Sequence, residues 1–220
     1  MNMMDDTDGK EASATRAAYM TLRNMILSGT LPAGQKLKID QLRKLLNTGA
    51  SPVREALSLL TSDMLVERID QRGFRAAPAS LANFEELLTL RCALEDMALR
   101  QSIAQGTSEW EEQLVLSHHR MKRAADTPTF EDAHKAFHMA LLSNAASPML
   151  ERYCSQLYDL NIRYRNIAAA DSSYERRDVS AEHEDILDAA VRHDADAACA
   201  FLLSHYRLTG AYLTKQLSGL

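Results

Sequence analysis

The stretch Asn47-Thr48-Gly49-Ala50-Ser51-Pro52-Val53-Arg54-Glu55-Ala56-Leu57-Ser58-Leu59-Leu60 restricts the possible folds of this chain more than any other segment. Asn47 to Ala50 read as a turn, and the residues after it have the period of a helix. Ser51 is placed to act as N-cap, and Pro52 suits the first helical position, where its missing N–H would have had no acceptor. Val53, Ala56, Leu57 and Leu60 recur at i, i+3, i+4 and i+7, one stripe facing a core. Arg54, Ser58 and Thr61 fall off that stripe. A short helix from Gln41 to Leu46, capped by Asp40, is expected just before the turn. Two short helices at a tight corner, the second with a polar outer face, are therefore predicted.

The flanking segments complete the unit. Residues 1–12 are polar and expected to be disordered, and 13–28 predict a helix that buries Tyr19, Leu22, Met25 and Ile26. Gly29-Thr30-Leu31-Pro32-Ala33-Gly34 is a turn-rich break. Leu65 to Ile69 alternates like a strand, Asp70-Gln71-Arg72-Gly73 supplies a turn, and Phe74 to Ala77 is a second strand ended by Pro78. Pro78-Ala79-Ser80 reads as a linker. Beyond it every segment has helical period, predicting helices over 81–104, 108–125, 129–145, 148–169, 174–193 and 195–217. The expected class is mainly α: a winged helix-turn-helix with a small β-hairpin over 13–78, then an all-α antiparallel bundle of about six helices over 79–220.

Charge separates the same two parts. The net charge is −5, yet residues 10–78 carry eleven Lys and Arg against six acids, a net +5. With the −3 of residues 1–9 set aside, residues 79–220 hold −7. A basic helix-turn-helix is built to approach the phosphates of double-stranded DNA, with its second helix in the major groove. Candidate DNA-contacting residues are Ser51, Arg54 and Ser58 on that helix, Lys44 on the helix before it, and Arg72 and Gly73 in the wing. Alternatives stay open: Arg54 as a surface arginine paired with an acid, Arg72 as a solubilising hairpin tip, and Gly73 as a turn residue only. Cys92, Cys154 and Cys199 are far apart and form no CxxC, which fits free thiols in a reducing compartment. With no signal-like segment and no run of about 18 apolar residues, a cytoplasmic location and no membrane partner are expected.

The helical part holds all seven histidines. His134 and His138 are spaced i, i+4 beside Phe130, Phe137 and Leu141. His183 shares a stripe with Ile186, Leu187 and Ala190, and His205 with Phe201, Leu202, Leu208 and Tyr212. Four imidazoles on the inward faces of three helices can converge on one divalent ion. The alternative is that each is a core histidine bonded to its own neighbour. Arg91 lies in the stripe of Leu87, Leu94 and Ala98, where it either pairs with Glu95 one turn on or offers its guanidinium to a carboxylate ligand.

At these residues the chain resembles a known family. Gly29 to Leu37, Ser51-Pro52-Val53-Arg54-Glu55-Ala56-Leu57 and Arg72-Gly73-Phe74 are similar to the GntR-family winged helix. The helical part resembles the FadR-type (FCD) effector domain. The resemblance spans roughly residues 14–215. It implies a homodimeric transcriptional regulator whose heads read a palindromic operator and whose bodies bind a small molecule. Ala50 stands where the family commonly has an arginine, which implies an altered operator. Many FadR-type bodies hold a metal with one Asp and three His. His138, His183 and His205 match the histidines, and His134 stands at the Asp. The all-imidazole set suits Zn or Ni. Family members often bind carboxylate metabolites, which makes Arg91 the expected anchor of a small carboxylate effector, with Asn161, Tyr164 and Arg165 as further polar groups.

An enzyme is not expected. A zincin needs HExxH, and Lys135 follows His134. A di-iron bundle needs two Glu-x-x-His pairs, and only Glu131 to His134 supplies one. The expected function is a ligand-responsive regulator, read as a repressor. The alternative is a helical-bundle metalloenzyme with an accessory DNA-binding-like domain.

Overall fold

The computed structural model describes residues 5–69, 73–125, 127–168 and 178–217. Along the chain the elements are α1 (Asp5–Leu27), β1 (Lys36–Leu37), α2 (Ile39–Leu45), α3 (Ala50–Ser62), β2 (Val66–Ile69), β3 (Gly73–Ala76), α4 (Leu81–Ala104), α5 (Ser108–Ala124), α6 (Phe130–Leu142), α7 (Pro148–Ala168), α8 (Val179–Val191) and α9 (Ala195–Leu217). Two compact units result: Met1–Ser80 with Ile162–Ala170, and Leu81–Asn161 with Asp171–Leu220. The first unit thus runs to Ser80, and the end of α7 groups with it.

In the first unit α1 packs on α3, and the expected stripe is the core. Val53, Ala56, Leu57 and Leu60 have no exposed surface, nor do Leu22 and Ile26 from α1. Each leucine side chain moved out of water in this way contributes about 1.5–3 kcal/mol. The hairpin forms as expected, with Val66 opposite Ala76 and Ile69 opposite Gly73. It gains a third strand that periodicity did not show, because β1 is two residues long: Leu37 pairs with Phe74, giving the order β1-β3-β2. Gly34, at φ 75°, turns the chain into β1, a backbone state that other residues rarely adopt.

Three local expectations are corrected. Helix α1 starts at Asp5, so residues 5–12 are helical rather than disordered. Asp40 lies inside α2, whose N-cap is Lys38, and it accepts from Arg43 Nε at 3.1 Å. The N-cap of α3 is Gly49, not Ser51, and Pro52 is the third helical residue. All of the first three amides lack intrahelical acceptors, so Pro52 is tolerated there for the reason given for the first position. Ser51 Oγ instead donates to Glu55 Oε1 at 3.3 Å.

In the second unit the six expected helices are present. Helix α4 packs along α9, α5 along α6, and α8 along α9. Phe137, Leu141, Leu114 and Leu202 fill the centre with no exposed surface. Trp110 Nε1 donates to the Ala140 carbonyl at 2.9 Å, which satisfies its one polar group inside this apolar layer. No helix among the described residues is long and apolar enough to cross a membrane.

Candidate metal centre and nucleic-acid interface

The histidines of α6, α8 and α9 converge. His134, His138, His183 and His205 are all buried, and one ring nitrogen from each lies within 4.8 Å of the others. His134 Nε2 is 3.2 Å from both His183 Nε2 and His138 Nε2. Their outer nitrogens are held from behind. Tyr158 bonds His134 Nδ1 at 2.5 Å and donates to Glu131 at 3.3 Å. Tyr206 bonds His138 Nδ1 at 3.0 Å and donates to Glu95. Glu182 Oε2 lies 2.7 Å from His205 Nδ1.

These outer bonds fix the tautomers. Burial first, and Glu95 next to it, push the Tyr206 phenol well above its ordinary value, opposed by Arg91, so Tyr206 keeps its proton. With that proton donated to Glu95, its oxygen accepts from His138 Nδ1–H. Burial and the neighbouring His134, His183, His205 and Arg91 hold His138 well below the usual histidine range. It is therefore neutral at pH 7, with the Nε2 lone pair aimed inward. Tyr158, whose proton goes to Glu131, and the Glu182 carboxylate are acceptors for Nδ1–H of His134 and His205, an arrangement that suits the same tautomer. Lone pairs that face one another at 3.2 Å repel unless a cation lies between them. Tetrahedral nitrogen ligands at about 2.0–2.1 Å from zinc stand about 3.3–3.4 Å apart, close to the spacing observed. Buried donors, convergent lone pairs and carboxylate-backed imidazoles all fit a divalent metal.

Arg91 lies close to this centre and makes the ion pair that is one of its two readings from sequence. Its Nε donates to Glu95 Oε1 at 2.6 Å, the expected pair one turn apart, with both side chains buried. Its guanidinium also stands 4.1 Å from the Tyr206 ring centre and 4.8 Å from that of Tyr158. Burial opposes its charge, but Glu95 and the two tyrosines outweigh that and raise its pKa. One nitrogen, Nη2, is buried with no hydrogen-bond partner among the described residues, a donor suited to an anionic atom. Asn161 is buried. Tyr164 and Arg165 lie on the part of α7 that groups with the first unit. Burial raises the Tyr164 phenol, opposed by a bond from the Ser80 backbone. Tyr158, Tyr206, Glu131 and Glu182 were not foreseen. Only the adjacency of Tyr206 to His205 and of Glu182 to His183, and the Glu131 spacing, hinted at them.

In the first unit Ser51, Arg54 and Ser58 share the outer side of α3, opposite its buried stripe. Arg54 is exposed and makes no ion pair among the described residues, and Lys44 on α2 is likewise exposed and unpaired. The nearby acid is engaged elsewhere: Glu55 accepts from Ser51 and, at 2.9 Å, from Thr15. Ser58 Oγ donates to the Arg54 carbonyl at 3.0 Å, leaving its lone pairs outward. Gly73 starts β3 at φ 96°, the left-handed state a tight wing turn requires. Arg72 lies outside the described residues.

A basic winged helix-turn-helix beside a helical bundle with a four-histidine centre defines a class of DNA-binding regulator. The chain belongs to the gntR family of bacterial regulatory proteins, whose model matches residues 14–75, and its second part is an FCD domain, matched over residues 86–208. It is 37% identical over 202 residues to the HTH-type transcriptional regulator BphR of Paraburkholderia xenovorans, covering 88% of this chain and 82% of that protein. It is 31% identical over 156 residues to the HTH-type transcriptional repressor GlaR of Escherichia coli, covering 68% and 71%. Among solved structures it is similar to E. coli McbR/YncC, with a TM-score of 0.77 at 20% identity over 92% of this chain and 98% of that one. The chain is a transcriptional regulator with a DNA-binding head, not an enzyme.

Proposed function

We propose that the chain is a ligand-responsive repressor of the FadR type that acts as a homodimer in the cytoplasm. Residues 13–78 serve as the DNA-binding part and 79–220 as the ligand-binding and dimerisation part. The four-histidine centre holds a divalent metal, zinc or nickel, and a small carboxylate effector binds beside it. The observation that carries this reading is the convergence of four buried imidazole nitrogens within 4.8 Å of one another, close to the buried Nη2 of Arg91, which has no hydrogen-bond partner among the described residues. A metal held there would supply positive charge that favours an anion nearby. Arg91 supplies a second positive contact, directed by Glu95, which already occupies its Nε edge. That leaves Nη2 for the effector.

In the head, Arg54 reads a base, supported by its exposure on α3 with Ser51 and Ser58 on the same side, and Lys44, Gly73 and Arg72 are assigned to phosphate contacts. The repressor role is supported by the name of the E. coli relative, GlaR. Two heads at successive major grooves match a palindromic operator. An effector changes DNA affinity only as far as it favours one arrangement of the body over another.

Three outcomes are expected. Arg54→Ala removes about 1–3 kcal/mol of base discrimination, so selective retardation of the operator fragment in a gel-shift assay is lost; retained selectivity would remove Arg54 from the reading role. Protein purified without an affinity tag carries about one metal per chain by elemental analysis. His138→Ala/His183→Ala lowers this to near zero, and unchanged content would rule the site out. A small mono- or dicarboxylate raises the melting temperature of the metal-loaded wild type. The same shift in Arg91→Ala would mean that this residue is not the anchor.

A further inference from the structure

The second unit carries an open groove of about 480 Å³ between α4 and α9, and none of the four clustered histidines lines it. Its floor is formed by Leu88, Cys92, Ala93 and Leu203, and two opposite charges, Asp96 and Arg207, also line it. We propose that this groove is the surface on which two copies of this chain pair, with Arg207 of each copy meeting the partner's Asp96. The inference rests on the homodimer reading above and assigns it a face.

The placement of the charges makes the groove self-complementary. Cys199 Sγ donates to the Asp96 carbonyl at 3.7 Å, which sets that level of α9 beside Asp96. Arg207 lies eight residues further along α9, about 12 Å at 1.5 Å per residue. Its field acts on Cys92, one turn before Asp96 on α4. Still further, Leu88 occupies the space that a Cβ on Gly210 would need, so α4 and α9 are in close contact under that end. The negative and positive ends are thus displaced along one groove. A twofold axis through its middle lays each positive end on the other copy's negative end, as an isologous interface requires.

Both charges are open to such a partner. Arg207 is exposed and makes no hydrogen bond or ion pair among the described residues. Asp96 meets Arg100 Nε through Oδ2 at 3.3 Å, while Arg100 Nη1 is committed more closely to Asp196 at 2.6 Å. Thr89, Cys92 and Ala93 keep the outer face of α4 low enough for a second helix to approach.

The test is sedimentation equilibrium of the full chain and its charge-swap variants, alongside gel-shift DNA binding. The wild type is expected to be a dimer, and Asp96→Arg or Arg207→Asp alone raises the dimer dissociation constant about tenfold or more. The double swap Asp96→Arg/Arg207→Asp returns it toward the wild-type value. Should a variant fail to fold, wild-type cross-linking decides. Cys92 is half-buried on the groove floor, while Cys154 and Cys199 are buried, with thiols pushed up by burial to about 12. A short bis-maleimide therefore joins two wild-type chains and fails with Cys92→Ser. A dimer insensitive to the swaps and not joined at Cys92 overturns the groove but keeps the homodimer. A monomeric wild type overturns both.

Discussion

The outer hydrogen bonds of the buried imidazoles are the constraint on which the second unit depends. An isolated neutral histidine can present either ring nitrogen inward with a proton on it. Here Tyr158, Tyr206 and Glu182 accept hydrogen bonds from Nδ1–H of His134, His138 and His205, which leaves their Nε2 atoms for the shared centre. The tyrosines are in turn fixed by Glu131 and Glu95. Burying four imidazoles would be costly without a shared purpose, since each polar group left unpaired in an apolar core costs roughly 1–3 kcal/mol. The arrangement offsets that cost by pairing the outer nitrogens of His134, His138 and His205 and bringing the inner ones together.

The same residues tie the centre to Arg91. Glu95 accepts from both Tyr206 and Arg91, so one carboxylate orients a histidine-backing phenol and a guanidinium together. Two tyrosine rings cover the guanidinium, and its one unpartnered nitrogen is left as a directed donor. A ligand that met this donor would act on the element that also orients His138. Binding and the geometry of the centre would then be coupled through contacts of a single side chain.

Much of the fold was legible in periodicity. The stripe Val53, Ala56, Leu57, Leu60 is fully buried, and all six helices of the second unit lie close to where spacing put them. What failed was local: Gly49 caps α3 in place of Ser51, and a two-residue strand is too short to have a period. In the site, the four histidines and the Arg91–Glu95 pair were legible because i, i+4 spacing and shared stripes determine which side chains can meet. Tyr158 and Tyr206 were not, because their contacts with His134 and His138 join residues 24 and 68 positions apart. In the head the sequence left Arg54 open to pairing with an acid. The structure shows Glu55 held by Ser51 and Thr15 instead.

The four-imidazole metal centre is tested most directly by X-ray absorption at the metal edge of protein purified without a tag. The expected spectrum has nitrogen in the first shell at about 2.0–2.1 Å, with the outer-shell scattering of several imidazoles. A shell containing sulfur at about 2.3 Å, or one of oxygen without imidazole scattering, would contradict it.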